Sequence, residues 1–138
     1  MIFLKIIHIY LLIGAVAGSF FSFSKVETNL LPFFIYLALT GYLIFLFFKH
    51  SQTLLFNSLL FLFILQLFSV KTMALGYLLS IGLCFFIGFG IDPPSSRETL
   101  FAFSASDFSP VTEGQNQIVG INLLAVIVLL LLILTKEK

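Results

Sequence analysis

Residues 53–91 read TLLFNSLLFLFILQLFSVKTMALGYLLSIGLCFFIGFGI, with Lys71 the only charge among them. Wound as one helix at 1.5 Å per residue, this stretch would be about 60 Å long. A bilayer core is only about 30 Å thick, so the chain has to reverse, and the place for the reversal is Ser69–Met73. Two apolar segments then flank Lys71, Thr53–Val70 and Thr72–Ile91. Both fall within the roughly 17–25 residues that a spanning helix needs.

The same criterion marks Ile2–Phe23 and Leu30–Phe48 before this stretch, and Ile118–Leu134 after it, where the chain runs into Lys136-Glu137-Lys138. The expected fold is therefore all-α: a polytopic integral membrane protein of about five transmembrane helices, or four if a segment beside Lys71 is re-entrant. Residues 1–138 would form a single transmembrane helical domain.

Composition points the same way. The chain is 60% hydrophobic and 9% charged, with a mean hydropathy of +1.18, whereas soluble domains carry about 25% charged and 45–50% apolar residues. A chain of 138 residues leaves much of its surface exposed on folding, too much for a soluble fold to hide this apolar content. A net charge of +1 lacks the clustered basic charge of a nucleic-acid binder, so no nucleic-acid partner is expected. One cysteine rules out a disulfide framework. The expected partners are the lipid bilayer and other membrane subunits, with bound lipid as the expected ligand.

Every carboxylate (Glu27, Asp92, Glu98, Asp107, Glu113, Glu137) falls outside the five segments, as the cost of an ionised group at mid-bilayer requires. Lys5 lies near the end of the first segment, where it can snorkel to the headgroups. With the N-terminus outside and the C-terminus inside, Lys25, Lys71, Lys136 and Lys138 lie inside against Lys5, Lys49 and Arg97 outside, the arrangement the positive-inside rule favours. Ile6–Ala17 ends in Ala15-Val16-Ala17, which is similar to a signal-peptide cleavage site; the reading adopted is a retained first span. Usage rich in Phe (19 residues, with no Trp), Leu and Ile suits an AT-rich genome, and hence a bacterial or mitochondrial inner membrane.

Residues 92–117 form the expected extramembrane loop. Asp92-Pro93-Pro94 ends a helix, Ser95 and Glu98 have capping-box spacing, and Leu100, Phe101, Phe103 and Phe108 follow. A short amphipathic helix over 96–105 is expected, with its Phe side chains in the headgroup region.

Chemistry-bearing residues are few. Lys5 and His8 are one turn apart and can form a small relay or bind an anionic headgroup. His8 and His50 are the haem-ligand candidates. Two histidines and Cys84 fall short of a zinc site, so neither a resident metal nor another cofactor is expected. No nucleophile stands near a general base, so a catalytic role for the chain alone is not expected. Gly14-x-x-x-Gly18 and Gly76-x-x-x-Ser80 have the small-residue spacing that lets helices approach closely. Asn57, Gln66 and Asn122 need hydrogen-bond partners in hydrocarbon; Asn57 and Gln66, with Thr40, are the candidates for a polar pathway.

The five-span layout, with its long loop before the last span, resembles subunit 6 of NADH:quinone oxidoreductase. The closing stretch Asn122-Leu123-Leu124-Ala125-Val126-Ile127 through Leu132-Ile133-Leu134-Thr135-Lys136 is similar to that family's last helix. The family's third helix carries a Tyr-Ala-Gly-Ala-like segment; Leu59-Leu60-Phe61-Leu62-Phe63 stands there in this chain. The resemblance implies a core membrane subunit of a respiratory complex. The reading made from the residues is a small, non-catalytic accessory subunit of a larger membrane complex, energy-transducing or secretory. A homo-oligomeric transporter or channel is the other alternative.

Overall fold

The computed structural model describes residues 2–23, 30–49, 51–92, 97–113 and 115–136. Helix α1 (Ile2–Phe23), α2 (Leu31–Phe48) and α3 (Gln52–Leu65) come first. Six strands follow: β1 (Phe68–Lys71), β2 (Gly76–Leu79), β3 (Leu83–Asp92), β4 (Arg97–Phe103), β5 (Ser106–Asp107) and β6 (Gln117–Asn122). Helix α4 (Leu123–Lys136) closes the chain. The fold is thus mixed α and β, and the all-α expectation of five spans is overturned by a six-stranded antiparallel sheet that curls into a half-barrel.

Helices α1 and α2 fall on the first two apolar segments and are long and apolar enough to cross a membrane. At 1.5 Å per residue they are about 33 and 27 Å long. Helices α3 and α4 have 14 residues each, or about 21 Å, short of a bilayer core. Helix α3 stops at Gln66, whose side-chain amide donates back to Leu62 O at 3.1 Å while its Oε1 accepts from Ile81 N at 2.7 Å. Helix α4 starts only at Leu123 because Asn122 caps it, its Oδ1 accepting from Leu124 N and Ala125 N. The expected last span therefore divides into a strand and a shorter helix.

Where a fourth span was expected, the chain runs through β2 and β3. Gly76, Gly82, Gly88 and Gly90 each cost a helix interior about 1 kcal/mol, and the aromatic residues Tyr77, Phe85, Phe86 and Phe89 fit a pleated surface. The reversal near Lys71 is a tight turn, in which Thr72 N donates to Leu75 O at 2.8 Å. Strand β4 replaces the expected interfacial helix over 96–105. Its residues pair along an antiparallel ladder with β3, Phe101 standing opposite Phe85 and Phe103 opposite Leu83.

The sheet order is β4-β3-β6-β1-β2-β5. Its two end strands, β4 and β5, are consecutive in the chain, joined through Ser104. Strands β2 and β3 are likewise consecutive, joined through Gly82. These two joints face each other: Ser104 N donates to Gly82 O at 2.7 Å, and Ser80 N donates to Ala105 O at 2.8 Å. Both joints adopt positive φ, 84° at Gly82 and 51° at Ser104. Two paired strands therefore bend together at one corner, which is how the sheet curls.

The main core lies between the helices and this corner. It gathers Leu11 and Ala15 of α1, Tyr36 and Leu43 of α2, Leu59 and Leu62 of α3, Ile81, and Ala125 and Leu132 of α4. A smaller cluster of Leu78, Cys84 and Phe86 packs with Ala102 and Ala105.

Candidate functional site

Polar side chains meet in two places, and the first is the corner itself. Tyr10 of α1 hydrogen-bonds with Leu83, its hydroxyl accepting from the amide at 2.5 Å. Tyr36 of α2 donates to Ser80 O at 2.6 Å. Ser104 Oγ accepts from Gly82 N at 2.9 Å and donates to Gly14 O at 2.6 Å. Tyr77 donates to Leu65 O at 2.5 Å. All of these partners are backbone groups, so the corner is a lock between the helices and the sheet. Among the described residues, every buried side-chain nitrogen or oxygen atom has a hydrogen-bond partner.

Close approach explains the glycines. A methyl group on Gly14 would strike the backbone of Gly82, and one on Gly18 would strike the Tyr36 ring. The stripe on α1 thus admits a strand corner and a tyrosine ring. Gly76 stands on β2 against the backbone of Ser109, and Ser80 just past that strand; neither lies on a helix.

The second place is a cleft of about 380 Å³ at the start of α1, lined also by the end of α2 and the start of α3. Lys5 and His8 from α1 and Ser51 and Gln52 from the α2–α3 junction give it polar groups, while Ile9, Phe47 and Leu55 are among its apolar walls. The connection between α2 and α3 is short, because Ser51 caps α3 by accepting from Leu54 N. That short connection sets the start of α3 beside the end of α2, while α2 is held against α1 by their packing and by the His8–Leu43 O hydrogen bond.

His8 is 3% exposed, and its Nε2 lies 2.7 Å from Leu43 O. A carbonyl only accepts, so Nε2 carries the hydrogen in this contact. Lys5 is exposed. Lys49, at the end of α2, places its Nζ 5.5 Å from the centre of the Phe45 ring. The antiparallel course of α1 and α2 puts Lys5 and Lys49 at the same end of the helix pair.

The remaining candidates are scattered. His50 and Ser95 lie outside the described residues. Asn57 is exposed on α3, and Gln66 is buried nine residues further on with both ends of its amide engaged. Thr40 donates to Tyr36 O within its own helix at 2.8 Å. The structure does not bring these three together. Glu98 and Phe101 are exposed on β4, with Phe101 at 70%, and Phe103 is exposed at that strand's end. Phe108 instead turns inward, its ring 5.9 Å from that of Tyr77.

Lys71 and Asp107 form an ion pair at 2.6 Å between β1 and β5. Burial alone would raise the Asp107 carboxyl; hydrogen bonds from Lys71 and the Ser109 amide outweigh it and hold the group below the usual carboxylate range. No three His, Cys, Asp or Glu side chains converge as a metal site among the described residues. Sequence reasoning missed Tyr10, Tyr36, Tyr77 and Ser104. The signal for the tyrosines was their place in apolar runs, because a buried hydroxyl needs a partner; Ser104 gave no signal. Comparison with protein-family models, curated proteins and solved structures found no match for this chain.

Proposed function

We propose that this chain is a small, non-catalytic accessory subunit of a larger membrane complex, held in the bilayer by the α1–α2 hairpin. The observation that carries this reading is the apolar exterior. Phe20 of α1, Phe34, Phe45 and Phe48 of α2, Phe89 of β3 and Phe101 of β4 are each more than half exposed. Soluble monomers seldom leave contiguous apolar patches beyond a few hundred Å² uncovered. Lipid covers the helices in this reading, and neighbouring subunits cover the exposed face of the sheet. Edge strand β4 supports the second half of the reading. As a terminal strand of the sheet, β4 has one edge with no strand partner among the described residues, and a neighbouring subunit can pair with such an edge.

The polar side chains support a structural role. Tyr36, Gln66, Ser104 and Asn122 all hydrogen-bond to backbone groups, which leaves them committed to the fold. The resemblance to a respiratory-complex subunit leaned on five spans, a layout this fold does not have, and it adds nothing to the proposal.

The test is alkaline carbonate extraction of membranes, followed by gentle solubilisation, native electrophoresis and mass spectrometry of the band. The expected result is retention in the membrane pellet and migration in a large band with other proteins. Release into the carbonate supernatant, or migration alone, would overturn the proposal.

A further inference from the structure

The geometry points to the cleft between α1, α2 and the start of α3 as a binding site for a phosphate-bearing lipid, with Lys5 on the headgroup and the acyl chain along Ile9, Phe47 and Leu55. This inference rests on the proposed membrane placement and adds a ligand to it.

Three features argue for this ligand. First, the cleft lies at one end of the helix pair. When α1 and α2 cross a bilayer, residues 5 and 49 stand at the headgroup level, so the cleft opens where lipid phosphates are. Second, its lining is divided. A primary amine and a hydroxyl accompany a larger apolar wall, which suits an amphiphile better than a free anion, whose charge gains nothing from Phe47 or Leu55. Third, the walls are fixed. His8 is tied across to α2 through Leu43 O, so its ring is held as a wall between α1 and α2. Lys5 is exposed and supplies the cation of the cleft lining, with a stem able to lie along apolar surface.

The experiment uses the full chain purified in mild detergent and mixed with phosphatidylglycerol or phosphatidylcholine, with retained lipid read by native mass spectrometry. Phosphatidylglycerol, a net anion, should be retained over zwitterionic phosphatidylcholine. Lys5→Gln should lower its retention about fivefold, the effect of one interfacial lysine of about 1 kcal/mol. Lys5→Arg should preserve it, and Leu55→Trp, which fills the cleft, should abolish it for both lipids without changing the far-ultraviolet circular dichroism.

Equal retention by the wild type and Lys5→Gln, or retention unaffected by Leu55→Trp, would overturn the assignment. Displacement of lipid by millimolar inorganic phosphate alone would also overturn it, by assigning the site to a free anion. Flotation of the same protein with neutral vesicles separates the two proposals. A chain that floats yet keeps no lipid in the cleft defeats only this one, whereas a chain that does not float defeats the membrane placement.

Discussion

At Ser104 the backbone adopts φ 51°, a conformation that costs most L residues about 1–2 kcal/mol. The hydroxyl offsets that cost, because it bonds Gly82 N and Gly14 O at once. The two contributions are separable by mutation. Ser104→Ala removes the hydroxyl and keeps the strain, and should destabilise the fold by about 1–3 kcal/mol, chiefly through the unsatisfied Gly82 amide. Ser104→Gly removes the hydroxyl but tolerates positive φ, and should be less harmful by about 1 kcal/mol. Denaturant titration in detergent checks the order of the two; an Ala variant more stable than the Gly variant would contradict it. Gly82 is the complementary case: its φ of 84° and the Tyr10 ring packed against it leave no room for a side chain.

At the level of elements, two polar side chains set the ends of helices α3 and α4. Gln66 ends α3 and Asn122 begins α4. Asn122→Ala should cost about 0.5–2 kcal/mol, the range for loss of an N-cap, and should loosen β3 as well, since the same oxygen accepts from Phe85 N. Amide hydrogen exchange would show faster exchange at residues 124, 125 and 85; unchanged protection there would refute the cap.

The β1–β5 ion pair makes a pH prediction. Because the Asp107 carboxyl titrates lower in the fold than in the unfolded chain, its stabilisation is present above the usual carboxylate range of about 4. That stabilisation is lost as pH falls through the folded value. Asp107→Asn should lower the melting temperature at pH 7 and flatten the decline on acidification. An unchanged profile would show that the pair contributes nothing.

These elements also show what the sequence could convey. Helices α1 and α2 were legible because their apolar runs are long enough to span and carry a single charged residue, Lys5, near one end. Strand β3 was not, for a physical reason. Cys84 and Phe86 are buried while Leu83 and Phe89 are exposed, so the burial alternates with period two but the hydropathy does not. The usable signal was the four glycines at 76, 82, 88 and 90, which suit close strand approach better than a helix interior; Gly88 stands directly opposite Gly120 of β6. The loop 92–117 was misread because a serine, an acid and spaced aromatics fit a capped helix and a strand alike. The Lys5–His8 spacing was visible from the sequence, but its apolar wall, drawn partly from α2 and α3, was not, since it depends on the α2–α3 turn.

For the molecule as a whole, the environment of the exterior decides what a surface substitution costs. Leu37, near the middle of α2, is 51% exposed. In water, replacing it with Lys would change stability by no more than about 0.5 kcal/mol. In a bilayer, Leu37→Lys should cost about 2.5–3.5 kcal/mol of insertion free energy. Integration into microsomes after translation in vitro measures the difference, and integration of the variant equal to that of the wild type would show that residue 37 does not face lipid.

The sheet places the corner, the exposed face and the apolar strands, so its ladder is what most needs checking. The direct measurement is a disulfide between residues 85 and 101, which stand opposite each other on β3 and β4. Opposed residues of an antiparallel pair have Cα atoms about 4.5–5.5 Å apart, within the range a disulfide spans. In a Cys84→Ser background, Phe85→Cys/Phe101→Cys should oxidise rapidly to an intramolecular crosslink, seen by mass spectrometry after digestion. Both thiols remaining free in the folded protein under mild oxidant would contradict the sheet.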